Sequence, residues 1–218
     1  MKNALCIFFL WVFALGAKAQ IQNFSVLYKL EVDQKTDSPV LKAMMLGAEI
    51  EFFFLHKASR MEMRANGMKM ITLRDEEKGQ GLMLMEMLGN KLASPMKGDE
   101  VYEDLPKAGD YRVEATKETK SIAGYTCTKY LLHKTNGETS EMWTTPAFMP
   151  KGKTQYSFQG LIGLPLELTT TENGTRVKLV AHKIDVQRPL SKWFDLEIPE
   201  GYQELTRAQL KAMRRNRN

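Results

Sequence analysis

The stretch Met61-Glu62-Met63-Arg64-Ala65-Asn66-Gly67-Met68-Lys69-Met70-Ile71-Thr72 decides the fold. Asn-Gly between two alternating segments is the strongest short-range signal for a tight type I′ β-hairpin. A two-residue loop also fixes register. It pairs Ala65 with Met68, Arg64 with Lys69, Met63 with Met70 and Met61 with Thr72. Met61, Met63, Met68 and Met70 then share one face, and Glu62, Arg64 and Lys69 the other, as in a half-buried antiparallel pair.

The same dipeptide recurs at Asn136-Gly137 and Asn173-Gly174. At Asn173-Gly174 it opposes Leu168 to Leu179 and Leu166 to Ala181, with Thr169 facing Lys178 and Thr171 facing Arg176 on the reverse side. At Asn136-Gly137 it pairs Leu131 with Met142 and Tyr130 with Trp143, placing apolar groups on both faces. Gly81 to Leu88 adds Met83, Met85 and Met87 in strict alternation, with Gly89-Asn90 as a further turn. Phe24 to Val32 and Glu49 to Leu55 are β-rich, and Phe194, Leu196 and Ile198 alternate before Pro199-Glu200-Gly201. Helix is scarce. Thr206 and Gln209 form a capping box that predicts a helix over 207–215, and Val40 to Leu46 is a second candidate. The expected class is mainly β: a curved antiparallel sheet, or half-barrel, built from hairpins with one or two short helices.

Ahead of the sheet lies a targeting segment. Ala4 to Ala17 is an apolar run, preceded by Lys2 and followed by the small-x-small pattern Ala17-Lys18-Ala19. This is the pattern of a secretory signal cleaved after Ala19, leaving Gln20 first. The expected organisation is a signal peptide at 1–19, one antiparallel β domain at 20–206 and a basic helix or tail at 207–218. The product is expected in the periplasm or secreted. Cys6 is not placed to carry the lipid of a lipoprotein, and its loss leaves Cys127 with no disulfide partner. Cys127, on an alternating strand, reads as a small buried residue.

The chain has 218 residues and a formal charge of +5. The excess is local. Lys2 and Lys18 leave with the signal, and the last twelve residues carry Arg207, Lys211, Arg214, Arg215 and Arg217 with no acid. The stretch 20–206 holds 24 bases against 26 acids, so a nucleic-acid partner is not expected. The basic tail suits peripheral contact with an acidic partner or anionic membrane.

Motifs for serine hydrolases, zincins, NTPases, thiol redox enzymes and dinucleotide enzymes are all absent. His56, His133 and His182 form no spaced cluster. A non-catalytic protein with no cofactor is expected. The unusual feature is the 14 methionines. They admit three readings: filler for an irregular core, the lining of a face for a lipid, acyl chain or lipidated partner, or a thioether site for Cu(I) or Ag(I) at Met63 and Met70. The lining reading rests on Met61, Met63, Met68, Met70, Met83, Met85 and Met87. An envelope interaction protein, docking through its basic tail or a sheet edge, is the alternative of a different class.

The signal ending in Ala19-Gln20, the methionine hairpin, the segment from Ile122 to Tyr130, the run Gly163-Leu164-Pro165-Leu166-Glu167 and the ending Ile198-Pro199-Glu200-Gly201-Tyr202 together resemble a secreted family of Bacteroidota. That family is catalogued as a domain of unknown function and is similar to GLPGLI-type proteins. The resemblance implies a curved half-barrel of the kind seen in the lipoprotein carriers LolA and LppX. It supplies no catalytic residue.

Overall fold

A computed structural model describes residues 20–32, 47–172 and 175–215. The signal segment, the helix expected at Val40 to Leu46, the Asn173-Gly174 turn itself and Arg217 lie outside the described residues. The strands are β1 (Phe24–Val32), β2 (Glu49–Leu55), β3 (Ala58–Ala65), β4 (Met68–Asp75), β5 (Gln80–Met87), β6 (Asn90–Lys97), β7 (Tyr111–Ile122), β8 (Tyr125–Lys134), β9 (Thr139–Thr145), β10 (Leu164–Glu172), β11 (Thr175–Asp185) and β12 (Gln203–Glu204). Among the described residues a single α-helix, α1 (Arg207–Arg215), follows, and 3₁₀ turns occupy Gly98–Tyr102, Ala108–Asp110 and Ser191–Phe194.

All twelve strands form one sheet, in the order β12-β6-β5-β4-β3-β2-β1-β11-β10-β9-β8-β7. The chain meanders from β1 outward to β6, crosses to the far edge, and meanders back from β7 to β11, which pairs with β1. The crossing is residues 98–110. Ten strand spacings separate β6 from β7, about 48 Å if the sheet were flat. A linker with two 3₁₀ turns reaches only roughly 35 Å. The sheet therefore curls toward its own edges without closing, the curved antiparallel half-barrel expected from the hairpins.

Register at the methionine hairpin is as read from the sequence, from Ala65 opposite Met68 to Met61 opposite Thr72. Met68, Met70 and Thr72 in turn face Met87, Met85 and Met83, so all seven methionines lie on one face. That face continues through Ile50 and Phe52 of β2 to Tyr28 and Val26 of β1, and is here called inner. On it lies the largest core cluster, with Phe24, Val26, Tyr28, Phe52, Phe54 and Met61 buried.

The outer face of β3 to β5 is less polar than expected. Ile71, Leu73, Leu82 and Leu84 are buried there, covered by Leu196, Ile198 and Tyr202. The alternation at Leu196 and Ile198 thus serves packing on a sheet already formed, and neither residue joins a strand. Tyr202 Oη donates to Glu86 at 2.6 Å, and burial together with this carboxylate pushes the phenol up to about 12. Beyond it β12 runs parallel to β6, and α1 begins at the expected capping box: Gln209 N donates to Thr206 Oγ1 at 3.2 Å, and Thr206 N to Gln209 Oε1 at 2.8 Å.

The hairpin at Asn136-Gly137 departs from its expected register by one residue. Tyr130 faces Met142 and Lys129 faces Trp143. Only Gly137 takes a left-handed backbone (φ 86°), and the Asn136 side chain accepts from Glu138 N at 3.1 Å, which lengthens the loop to residues 135–138. The shift puts Tyr130, Leu132 and Met142 into one buried cluster and leaves Trp143 on the other face under Lys120, 4.2 Å from its ring centroid. At Asn66-Gly67, too, only the glycine is left-handed (φ 68°), so neither of these turns is type I′; among the described residues the turns whose two central residues are both left-handed are Leu88-Gly89 and Ala123-Gly124.

Leu88 is 84% exposed with φ 51°, a conformation a branched side chain adopts at a cost of about 1–2 kcal/mol. Leu88→Asn is expected to raise stability by about 1 kcal/mol, read as a higher urea midpoint with an unchanged slope. Glu62 supplies a pH dependence. It is buried on the outer face, within 3.0 Å of Arg60, 2.6 Å of Arg64 and 3.5 Å of Lys69. Burial alone would raise its carboxyl, but the Arg60 hydrogen bond and the three positive charges outweigh it and hold the group below the ordinary carboxylate range. The folded chain therefore binds this proton less tightly than the unfolded chain. The contribution is complete above the unfolded value, about 4.3, and is lost as pH falls through the lower folded value. Glu62→Gln should flatten the loss of stability on acidification below about pH 4.3, measured by urea unfolding across that range.

Candidate functional site

The crossing segment and the long connection from β9 to β10 both lie over the inner face. Between them and the sheet is a cavity of about 760 Å³, within the usual range for a small-molecule site. Tyr28, Phe52 and Phe54 form its floor. Their rings are mutually braced, with Tyr28 edge-on to Phe52 at 5.7 Å and Phe52 stacked on Phe54 at 6.3 Å. One wall is Tyr102, residues 105–108 and Tyr111, and the other is residues 149–154 and 156–159 with Leu161 and residues 163–165.

Specific contacts hold each wall. Residues 146–163 are fixed at their start by Phe148, fully buried against Phe24 and Tyr125 with ring centroids 4.9 and 4.8 Å away. Ile21 brackets this point, donating to Ala147 O at 3.0 Å and accepting from Met149 N at 2.9 Å. Further on, Ser59 Oγ donates to Lys153 O at 2.7 Å and Lys153 N donates to Glu76 Oε1 at 2.6 Å. Gly163 (φ 86°) closes the arch so tightly that a Cβ would lie 2.0 Å from Thr145 O.

The crossing segment is held by Arg74, whose side chain is 1% exposed. Arg74 Nε donates to Val101 O at 3.1 Å, and its terminal nitrogen reaches both oxygens of Asp104 at 2.7 Å. A buried guanidinium needs such a partner, because an unpaired charge away from water costs several kcal/mol.

Among the described residues that line the cavity there is no carboxylate, histidine or cysteine. Tyr28 is buried and its hydroxyl donates to Pro165 O at 2.5 Å. Burial, with Tyr156 and Cys127 nearby, keeps that phenol protonated far above its ordinary range. Cys127 is buried, and its thiol is likewise pushed up, to about 11, by burial. His133 sits by Glu114, and His56 by Arg188. Among the described residues no group of three or more His, Cys, Asp or Glu comes together to hold a metal ion.

The seven methionines singled out by the sequence do not line this cavity. Met61 and Met83 are buried, while Met63, Met68, Met70, Met85 and Met87 are half-buried. Met63 and Met70 stand directly opposite each other, as the hairpin requires. Met61 adjoins the cavity wall, where Gln155 Nε2 donates to its sulfur at 2.9 Å. In the basic tail, Arg207 turns inward: its side chain is 10% exposed, 3.4 Å from Glu103 and 3.8 Å from the Met83 sulfur. The strands of the floor were legible in the sequence as the β-rich runs Phe24 to Val32 and Glu49 to Leu55, but nothing in them singled out Tyr28, Phe52 and Phe54. The walls carried no periodicity, and their one signal is the density of Pro and Gly from Pro146 to Gly163.

These features define an open antiparallel half-barrel with a covered inner face and a ligand-sized cavity beneath the cover. The chain belongs to the family described as a domain of unknown function, DUF4412, whose match covers residues 41–160. No curated protein matches it. Solved structures with a similar fold include PNGF-II, in two crystal forms. Each has a TM-score of 0.52, with 15% and 16% identity over 88% of this chain. The chain spans only 33% and 32% of the length of those two, and at this identity the likeness is one of fold. MucB matches with a TM-score of 0.43 and 12% identity over 86% of this chain and 61% of its own. LprF from Mycobacterium bovis matches with 0.31 and 10% over 85% and 91%. Among the described residues no helix is long and apolar enough to cross a membrane.

Replacing Asp104 by Asn leaves Arg74 buried with only a neutral partner. Asp104→Asn is expected to cost about 2 kcal/mol, read by urea unfolding. Hydrogen exchange should quicken in residues 102–108 before it does in the strands.

Proposed function

We propose that this protein is exported and binds an apolar ligand, a lipid, acyl chain or lipidated segment, in the cavity between the inner face and its two covering segments, without acting on it chemically. The observation that carries this reading is the cavity of about 760 Å³ with an aromatic floor. Burial of apolar surface would supply the affinity, at about 25 cal/mol per Å² removed from water. The floor is braced ring against ring and so is formed before a ligand arrives, which lowers the ordering cost of binding. Among the described residues the lining has no carboxylate, histidine or cysteine, the groups that most often carry proton transfer or nucleophilic attack. The methionine rows lie further along the same inner face, several of them half-buried, and give it a pliable apolar surface that suits chains of varied length.

Fluorescence titration of the mature chain with the neutral probe N-phenyl-1-naphthylamine tests this. Saturable binding of one probe per chain is expected. Ala108 is exposed and lines the cavity, so Ala108→Trp should fill space without disturbing the core, weakening the probe by about tenfold or more at an unchanged melting temperature. No saturable binding, or equal binding by the variant, overturns the reading.

A further inference from the structure

We propose that the ligand is an amphiphile with an anionic head, its chain on the aromatic floor and its head at Lys107, Lys151 and Lys153. This rests on the binding role above and adds the chemical class of the ligand.

Among the described residues, three lysines line the cavity and no carboxylate does. All three are exposed, whereas the rings of Tyr28, Phe52 and Phe54 are buried. The nearby acids offset them only in part. Asp104 is held by both of its oxygens on Arg74. Glu76 approaches Lys153 Nζ only to 3.9 Å, and that lysine side chain is 58% exposed, so the pair is weak. Lys107 also borders a neighbouring cleft that contains Asp99, Glu100 and Glu103. Lys151 does not line that cleft.

Several polar side chains of the lining are engaged with the protein's own backbone. Tyr28 donates to Pro165 O, and Tyr111 Oη accepts from Gln159 N at 2.7 Å. Thr154 Oγ1 accepts from Tyr156 N at 3.2 Å and Ser157 Oγ from Thr154 N at 3.0 Å. Charge recognition is thus concentrated at the lysines, and it selects a carboxylate or phosphate head over a neutral or cationic one.

The test is calorimetric titration of the mature chain with dodecanoate, dodecyl phosphate, dodecanol and dodecyltrimethylammonium, each as monomer, at low and high salt. The anionic pair should bind about tenfold tighter than dodecanol at low salt, and the ranking of dodecanoate against dodecyl phosphate separates the two head chemistries. The preference should shrink at high salt, where exposed charges are screened. It should vanish in the combined variant Lys107→Gln, Lys151→Gln, Lys153→Gln, whose backbone contacts at 153 are kept. Equal binding of all four amphiphiles, or tighter binding of the cation, overturns the anionic head and leaves the binding role standing. Binding of none of them overturns both.

Discussion

The pairing of β1 with β11 holds the molecule together. From Ser25 against Asp185 to Val32 against Val177, it joins an outward meander to a returning one, and without it the chain would be two separate sheets. Because the seam lies in the middle of the sheet order, the two strands joined by residues 98–110 sit near opposite edges. The linker cannot span a flat sheet, so the sheet curls and the linker lies across its mouth. Curvature, cover and cavity all follow from that connection. Its tether is the buried Arg74, which grips Val101 and Asp104 from β4.

Local constraints were legible in the sequence because they act over a few residues. A two-residue turn at Asn66-Gly67 leaves one register, and every pair from Ala65 and Met68 to Met61 and Thr72 stands where that register puts it. The capping box at Thr206 and Gln209 likewise sets the start of α1. Asn136-Gly137 shows the limit of the same rule. The dipeptide is identical, but there the Asn side chain caps Glu138 N and the turn opens by enough to shift the pairing. Which loop forms depends on how the flanking strands bury Tyr130 and Met142, and that is decided by the whole sheet.

The cavity was beyond local reading for a related reason. Its floor comes from strands whose alternation is plain, but a floor alone is only a core face. What makes it a cavity is the arrival of two irregular segments from distant parts of the chain, held by contacts such as Ser59 to Lys153 and Arg74 to Asp104. Neither contact follows a sequence period. The outer face has the same history: Ile71, Leu73, Leu82 and Leu84 look surplus on a half-buried sheet until the C-terminal segment covers them.

The methionines acquire a sharper meaning beside this cavity. A floor of packed rings resists deformation, because close-packed aromatics leave no space into which to relax. The rows beside it are different. Met63, Met70 and Met85 stand side by side on three strands, each half-buried, and unbranched thioethers change rotamer at little cost. One end of the inner face is therefore stiff and preformed, and the adjoining end can repack. That division also explains why alternation alone pointed to the methionines: they are the conspicuous half of an apolar surface whose other half, Tyr28, Phe52 and Phe54, looks in sequence like any buried strand.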